Sequence, residues 1–302
     1  MKTRQLGLSD LLISEIGLGC MSLGTEESSA IPLIHQALEQ GVNFLDTSDL
    51  YDAGRNEEIV GKAIQGRRDQ VILSTKVGNR RVEGQDSWIW DPSKQYIIAE
   101  VKESLRRLQT DYIDLYQLHG GTMEDPIDET IEAFEQLKQE GLIRYYGVSS
   151  IRPNVIREYV QKSNIVSVMS QYSILDRRPE EEILPLLSEH DISMIVRGPV
   201  AKGILSAGGD RKADNKYMNY SSDELHNVRQ RLQSLVEEHR SMAHIAIQYV
   251  LADPAVAVVV PGASSLQQLL DNIAAGDTAP LSEEELAFIR ENSKEDRYEQ
   301  HR

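Results

Sequence analysis

Residues 111–149 read DYIDLYQLHGGTMEDPIDETIEAFEQLKQEGLIRYYGVS. Tyr112 to Leu118 is a short, largely apolar run ending at His119. After Asp125-Pro126, Ile127, Ile131, Phe134 and Leu137 recur at helical spacing, which puts them on one face of a helix. Gly141 stands where a helix-ending glycine belongs, and Tyr145-Tyr146-Gly147-Val148 opens the next apolar run. The segment is one strand–helix–strand unit.

The same alternation runs outward in both directions. Ile16-Gly17-Leu18, residues 42–45 and residues 71–73 precede it, and residues 165–169, 192–196 and 256–260 follow, making eight candidate strands. Their apolar residues are continuous rather than alternating, as in parallel strands covered on both faces. Ile97, Val101, Leu105 and Leu108 mark a helix that Asp91-Pro92 is expected to cap. Arg152-Pro153 opens another, and Ser264 to Ile273 reads as the last of the series. Eight repeats with no linker predict one (β/α)₈ barrel, a TIM barrel, as a single domain over residues 1–302. The competing reading is an open doubly wound sheet. Gly17-Leu18-Gly19-Cys20-Met21-Ser22 half matches a dinucleotide-binding glycine turn, but the next helical pattern begins only near Ser28.

Residues 3–14 read as a β-hairpin placed to plug one end of the barrel. Two long connections, residues 78–91 with Trp88 and Trp90 and residues 198–240 with a helical stretch from Glu224 to Arg240, follow strand C-termini. That is the face on which barrel active sites lie, so both loops are candidate walls of a site. Ser282-Glu283-Glu284-Glu285-Leu286 reads as a capped helix before a charged end that is expected to be disordered.

The chain carries 48 acidic and 32 basic residues, a net charge of −16, which argues against nucleic acid or an anionic membrane as partner. A single cysteine, Cys20, excludes an internal disulfide framework. No apolar run approaches a membrane span, so a cytoplasmic location is expected. None of the seven histidines forms an HxH or HExxH pair, so no metal site is expected.

Polar residues stand at strand ends. Asp46 ends the second run, Lys76 the third and His119 the fourth, and Tyr51 lies in the loop after Asp46. Alone, each is compatible with capping, snorkelling or packing. Converging on one barrel mouth, they are costly to bury unless they work. The chemistry fits reduction of a carbonyl, whose oxygen needs a proton donor. A lysine ammonium about 4 Å from a phenol, at an effective dielectric of ~20, favours the phenolate by roughly 4 kcal/mol. Asp46 would hold Lys76, and His119 would orient the substrate oxygen.

At these residues the sequence resembles the aldo-keto reductase superfamily. The resemblance runs from Leu6-Gly7 to about Asn272 through Ile16 to Ser22, Phe44 to Tyr51, Leu73 to Lys76, Asp111 to His119, Gly147 to Ser150, Ser170-Gln171-Tyr172 and Pro261 to Ser265. It implies a (β/α)₈ barrel binding a nicotinamide dinucleotide, usually NADPH, across the C-terminal mouth. By position, Asp46, Tyr51, Lys76 and His119 match the family's catalytic tetrad, with Tyr51 the acid. Ser149, Ser150 and Gln171 match residues that bond the nicotinamide carboxamide; Ser150 stands where asparagine is commoner. Gly19, Met21 and Asp46 would neighbour the nicotinamide. Arg197 takes the place of an aromatic ring that stacks on it, and would cover the ring, anchor an anionic substrate group or form a salt bridge. Gly198, Val200 and Lys202 would line the diphosphate.

At the adenosine end stand Gly262, Ala263, Ser264, Ser265, Gln268 and Asn272, without a basic residue to meet a 2′-phosphate. NADPH is expected on the resemblance, with NADH possible. The reading is an NAD(P)H-dependent reductase of a small aldehyde or ketone. The alternatives are a nicotinamide-cofactor-binding regulatory subunit with little turnover, and a barrel lyase or hydrolase that needs no such cofactor. The sequence carries no signal for substrate identity or oligomeric state.

Overall fold

A computed structural model of the chain describes residues 1–82, 84, 85 and 87–302. It opens with an antiparallel hairpin, β1 (Thr3–Gln5) and β2 (Leu12–Ser14). The barrel begins with β3 (Leu18–Gly19), β4 (Phe44–Asp46) and β5 (Ile72–Val77). A second hairpin, β6 (Asn79–Arg81) and β7 (Trp88–Trp90), stands on the loop after β5. The barrel continues with β8 (Ile113–Leu118), β9 (Ile143–Ser149), β10 (Ser167–Gln171), β11 (Ser193–Arg197) and β12 (Val256–Val260).

Parallel neighbours need a crossover between them, and helices supply it. They are α1 (Glu27–Glu39), α2 (Arg55–Ala63), α3 (Lys94–Leu108), α4 (Ile127–Gln139), α5 (Pro153–Lys162) and α6 (Ile183–Glu189). Between β11 and β12 lie α7 (Asp210–Ala213), α8 (Ser222–Leu232) and α9 (Met242–Leu251). After β12 come α10 (Leu266–Ala274) and α11 (Glu283–Glu291).

The eight barrel strands run in sequence order and pair in parallel. The first and last also meet. Gly17 N donates to Val259 O at 2.8 Å, and Val259 N to Glu15 O at 2.9 Å. Further parallel bridges join Ile16 to Val259 and Gly19 to Gly262. That closure removes the open-sheet alternative.

Phe44, Leu115, Met169, Ile195 and Val258 fill the barrel interior, and Leu6, Leu11 and Ile13 of the first hairpin join the same cluster. The hairpin thus plugs the N-terminal end, as its position suggested. A second, larger cluster fills the layer between strands and helices. No helix among the described residues is long and apolar enough to cross a membrane.

Three local expectations are corrected. α3 is capped by Ser93, whose Oγ accepts from Tyr96 N, because the Asp91 carboxylate is taken by Ser93 N and Arg80. α8 stops at Leu232 and passes through a 3₁₀ turn rather than running to Arg240. The charged C-terminal end is laid down on the protein. Tyr298 is buried under the Arg178 guanidinium, and Tyr298 N donates to Glu181.

Candidate active site

The barrel strands end at one mouth and deliver their last polar residues there. Asp46 is the final residue of β4, Lys76 the second-last of β5, and His119 follows β8. Lys76 is fully buried, and its Nζ donates to Asp46 Oδ2 at 2.7 Å, Thr47 O at 2.7 Å and Tyr51 Oη at 3.3 Å. Ser74 Oγ donates to Asp46 Oδ1 at 3.1 Å and accepts from Gln117 Nε2 at 2.8 Å. Tyr51 begins a short 3₁₀ turn in which Asp52 and Ala53 take left-handed backbone angles, φ 47° and 61°. Such angles are unfavourable for residues with a Cβ, and here they follow directly on the tyrosine. The Tyr51 and His119 rings meet edge-on with centroids 6.0 Å apart.

Burial would lower Lys76, but the adjacent Asp46 and Tyr51 outweigh it and hold the ammonium above its ordinary value. Burial lifts the Asp46 carboxyl against the pull of Lys76. Burial, then the charges of Lys76 and Arg197, depress His119 to about 3. At neutral pH the imidazole is therefore uncharged and acts as a hydrogen-bonding group. Cys20 is buried and burial pushes its thiol up, so it is an inert small residue.

These groups open into a cleft of about 1040 Å³. Asp46, Tyr51 and His119 line it, with Lys76 buried behind them. Most other residues singled out from sequence also line it: Gly19, Met21, Ser149, Ser150, Gln171, Arg197, Gly198, Val200, Lys202, Gly262, Ser264, Gln268 and Asn272; Ala263 is buried instead, and Ser265 caps α10 by accepting from Gln268 N. Arg197 donates to the amide oxygen of Gln171 at 2.9 Å, so its partner is an amide rather than the carboxylate a salt bridge would need. Gln171 Nε2 donates to Asp176 Oδ2 at 2.9 Å, which fixes the amide and leaves one lone pair of its Oε1 for a ligand. Gly198 has φ +70°, a turn that favours glycine.

Asn272 Nδ2 donates to Gly262 O. Ser264 N and Oγ both donate to Gln268 Oε1 at 3.0 Å. The two tryptophans divide. Trp90 packs over Gly78 and Gly120 and donates to Asp125, whereas Trp88 is exposed on the rim. Part of the loop bearing them, residues 83 and 86, lies outside the described residues.

Sequence reasoning missed Lys212. It comes from α7, donates to Lys202 O and faces the cleft beside Lys202. No strand-end pattern marks it. It also missed Asn79, whose Nδ2 donates to His119 O at 3.1 Å and steadies the loop carrying the histidine. The cleft thus holds, in a strongly acidic chain, cations that include Arg197, Lys202 and Lys212, an amide and hydroxyl set, and a buried lysine–tyrosine pair. That donor set fits an anionic dinucleotide with a carboxamide-bearing ring.

The sequence model of the Aldo/keto reductase family matches residues 15–294. The chain is 58% identical over 307 aligned residues to "Uncharacterized oxidoreductase YqkF" of Bacillus subtilis (strain 168), covering 100% of both chains. It is 30% identical to the "NADH-specific methylglyoxal reductase" of Escherichia coli (strain K12), over 96% of this chain and 98% of that one. Among solved structures it superposes on aldo-keto reductase AKR11C1 from Bacillus halodurans (holo form) with a TM-score of 0.95 and 58% identity. That match covers 100% of this chain and 99% of the other.

Proposed function

The chain belongs to the aldo/keto reductase family, and from that premise we propose that it reduces a small aldehyde or ketone with NADPH at the cleft around Tyr51. The carrying observation is Lys76 Nζ, which touches both Asp46 and Tyr51. A nicotinamide dinucleotide held in the cleft would supply the hydride that the carbonyl carbon accepts. Tyr51 Oη gives its proton to the carbonyl oxygen, and the phenolate that results forms 3.3 Å from an ammonium. At an effective dielectric of ~20 that attraction is on the order of 5 kcal/mol. Asp46 keeps Lys76 charged and aimed, and the neutral His119 hydrogen-bonds the substrate oxygen. After turnover the tyrosine is reprotonated from solvent.

The cofactor's carboxamide falls to Ser149, Ser150 and Gln171, with Gly19, Met21 and Asp46 beside the ring. Arg197, which lines the cleft, would cover the ring or meet an anionic substrate group. Gly198, Val200, Lys202 and Lys212 serve the diphosphate, and Gly262, Ser264, Gln268 and Asn272 the adenosine end. Both donors of Ser264 are spent on Gln268, and the segment from Gly262 to Asn272 contains no Lys or Arg. Neutral hydrogen bonds worth about 1 kcal/mol each support only a modest preference for the 2′-phosphate, about tenfold. NADH is therefore a working second cofactor, as the name of the Escherichia coli relative states for that enzyme.

The test is loss of reduced-nicotinamide absorbance across a panel of aldehydes and ketones with each cofactor, beside cofactor titrations followed by tryptophan fluorescence. Turnover with both cofactors, with NADPH bound about tenfold tighter, is expected. Cofactor binding without turnover on any carbonyl would overturn the reading.

A further inference from the structure

Asp49 lies between Asp46 and Tyr51 in sequence and is buried beneath the cleft. Its Oδ1 is 3.0 Å from Ser48 Oγ, and nothing among the described residues hydrogen-bonds its Oδ2. Ser48 Oγ is in turn 3.1 Å from His119 Nδ1 and accepts from Leu50 N at 3.2 Å.

A hydroxyl has one proton and two lone pairs. The Leu50 amide takes one lone pair, so one proton and one lone pair must be divided between Asp49 and His119. If Ser48 gives its proton to Asp49, it must accept one from His119 Nδ1, and Nε2 is then a bare acceptor. If Ser48 gives its proton to His119 Nδ1, Asp49 must donate and so must be a neutral acid, and His119 carries its hydrogen on Nε2. A carbonyl oxygen is an acceptor and is oriented only by the second arrangement. We propose that Asp49, as a neutral acid acting through Ser48, holds His119 in the Nε2–H tautomer and so makes it a donor to the substrate oxygen. Asp49 and Ser48 are positioning residues, and the proposal rests on the reading of His119 as the group that meets that oxygen.

The surroundings favour the neutral acid. Glu57 of α2, Tyr96, Glu100 and Arg107 of α3, and Tyr116 of β8 all act on Asp49 or face the same buried space. Arg107, the one cation of this group, is already committed to Glu57 at 2.6 Å and to Glu100. Thr75 Oγ1 donates to Glu57 at 2.6 Å, and the Tyr116 hydroxyl has no partner among the described residues. A carboxylate at Asp49 would have one hydrogen bond, little solvent and two negative neighbours. Burial, followed by the charges of Glu57 and Glu100, pushes its carboxyl up to about 8. Above that pH the proton leaves, Ser48 turns to the carboxylate, and the tautomer reverses.

The test is two-bond ¹H–¹⁵N correlation NMR on the full chain labelled at histidine, in which the two tautomers give distinct nitrogen shifts. The His119 signal is assigned by its loss in His119→Asn. The wild type should show Nε2–H at pH 7 and pass to Nδ1–H as the pH rises through about 8, with kcat falling over the same interval. Asp49→Asn, whose amide can donate to Ser48 at any pH, should keep Nε2–H throughout and lose that fall. Ser48→Ala, which cuts the relay, should abolish the pH dependence of the tautomer. Nδ1–H in the wild type at pH 7, or the same tautomer at every pH in all three proteins, would overturn the proposal. A tautomer that switches while kcat stays level would instead overturn the reading of His119 as the substrate-orienting group.

Discussion

The two ends of the barrel each bury an aspartate and treat it differently. At the plugged end, Asp114 receives Arg68 at 2.7 Å, Arg144 at 2.8 Å and the backbone N–H of Leu73 at 2.9 Å. Arg144 reaches on to Asp10 in the hairpin turn, so the network ties the plug to the barrel. At the mouth, Asp49 has one serine hydroxyl and an oxygen without a partner among the described residues, and Lys76 is buried against a tyrosine that must change charge. The groups gathered on Asp114 at the plugged end are satisfied in one state. Those at the mouth are left able to adopt two. Stability resides at one end and proton chemistry at the other.

Each substitution that follows separates the two ends. The largest effect belongs to Tyr51→Phe. Removing a general acid costs about a thousandfold in kcat, or about 4 kcal/mol of barrier. Steady-state kinetics should show that loss, while fluorescence titration shows cofactor affinity within about twofold. Asp114→Ala should do the reverse. It leaves a half-buried Arg68 and a backbone N–H without their partner, and breaking a buried pair costs about 3 kcal/mol, less here because Arg144 is partly exposed and screened. Urea unfolding should give a loss of about 2 kcal/mol, with kcat unchanged. The smallest effect is at the far edge of the mouth. Gln268→Arg supplies the cation missing there, and a charge-assisted bond of about 1.5 kcal/mol should tighten NADPH about tenfold and leave NADH alone.

The frame of this molecule was legible because apolar runs and strand ends are local. Asp46, Lys76 and His119 each close a run of β residues, and barrel closure brings their ends to one mouth. Arg197 was visible as a departure, but not its bond to Gln171, which depends on the register of β10 against β11. Lys212 comes from a short helix in a long loop, where no periodicity points at the cleft. Asp49 sits inside the motif that includes Tyr51, yet its state is set by burial and then by Glu57 and Glu100, which come from two helices elsewhere in the chain. The C-terminal end looked too charged to pack. Tyr298 packs because Arg178 and Glu181 wait for it on the barrel. Pattern shows which residues lie at the mouth, and tertiary neighbours decide what state each is in.

The division between the two ends is tested most directly by the unfolding free energy of the double variant Asp46→Asn/Lys76→Met, measured beside its kcat. The pair is buried, and replacing such a pair with neutral groups of similar volume is often neutral or stabilising by about 1–4 kcal/mol. Stability equal to or above that of the wild type, with turnover reduced more than about a hundredfold, is the predicted result. A loss of several kcal/mol would contradict it, because the lysine–aspartate pair would then be holding the barrel together rather than serving the tyrosine.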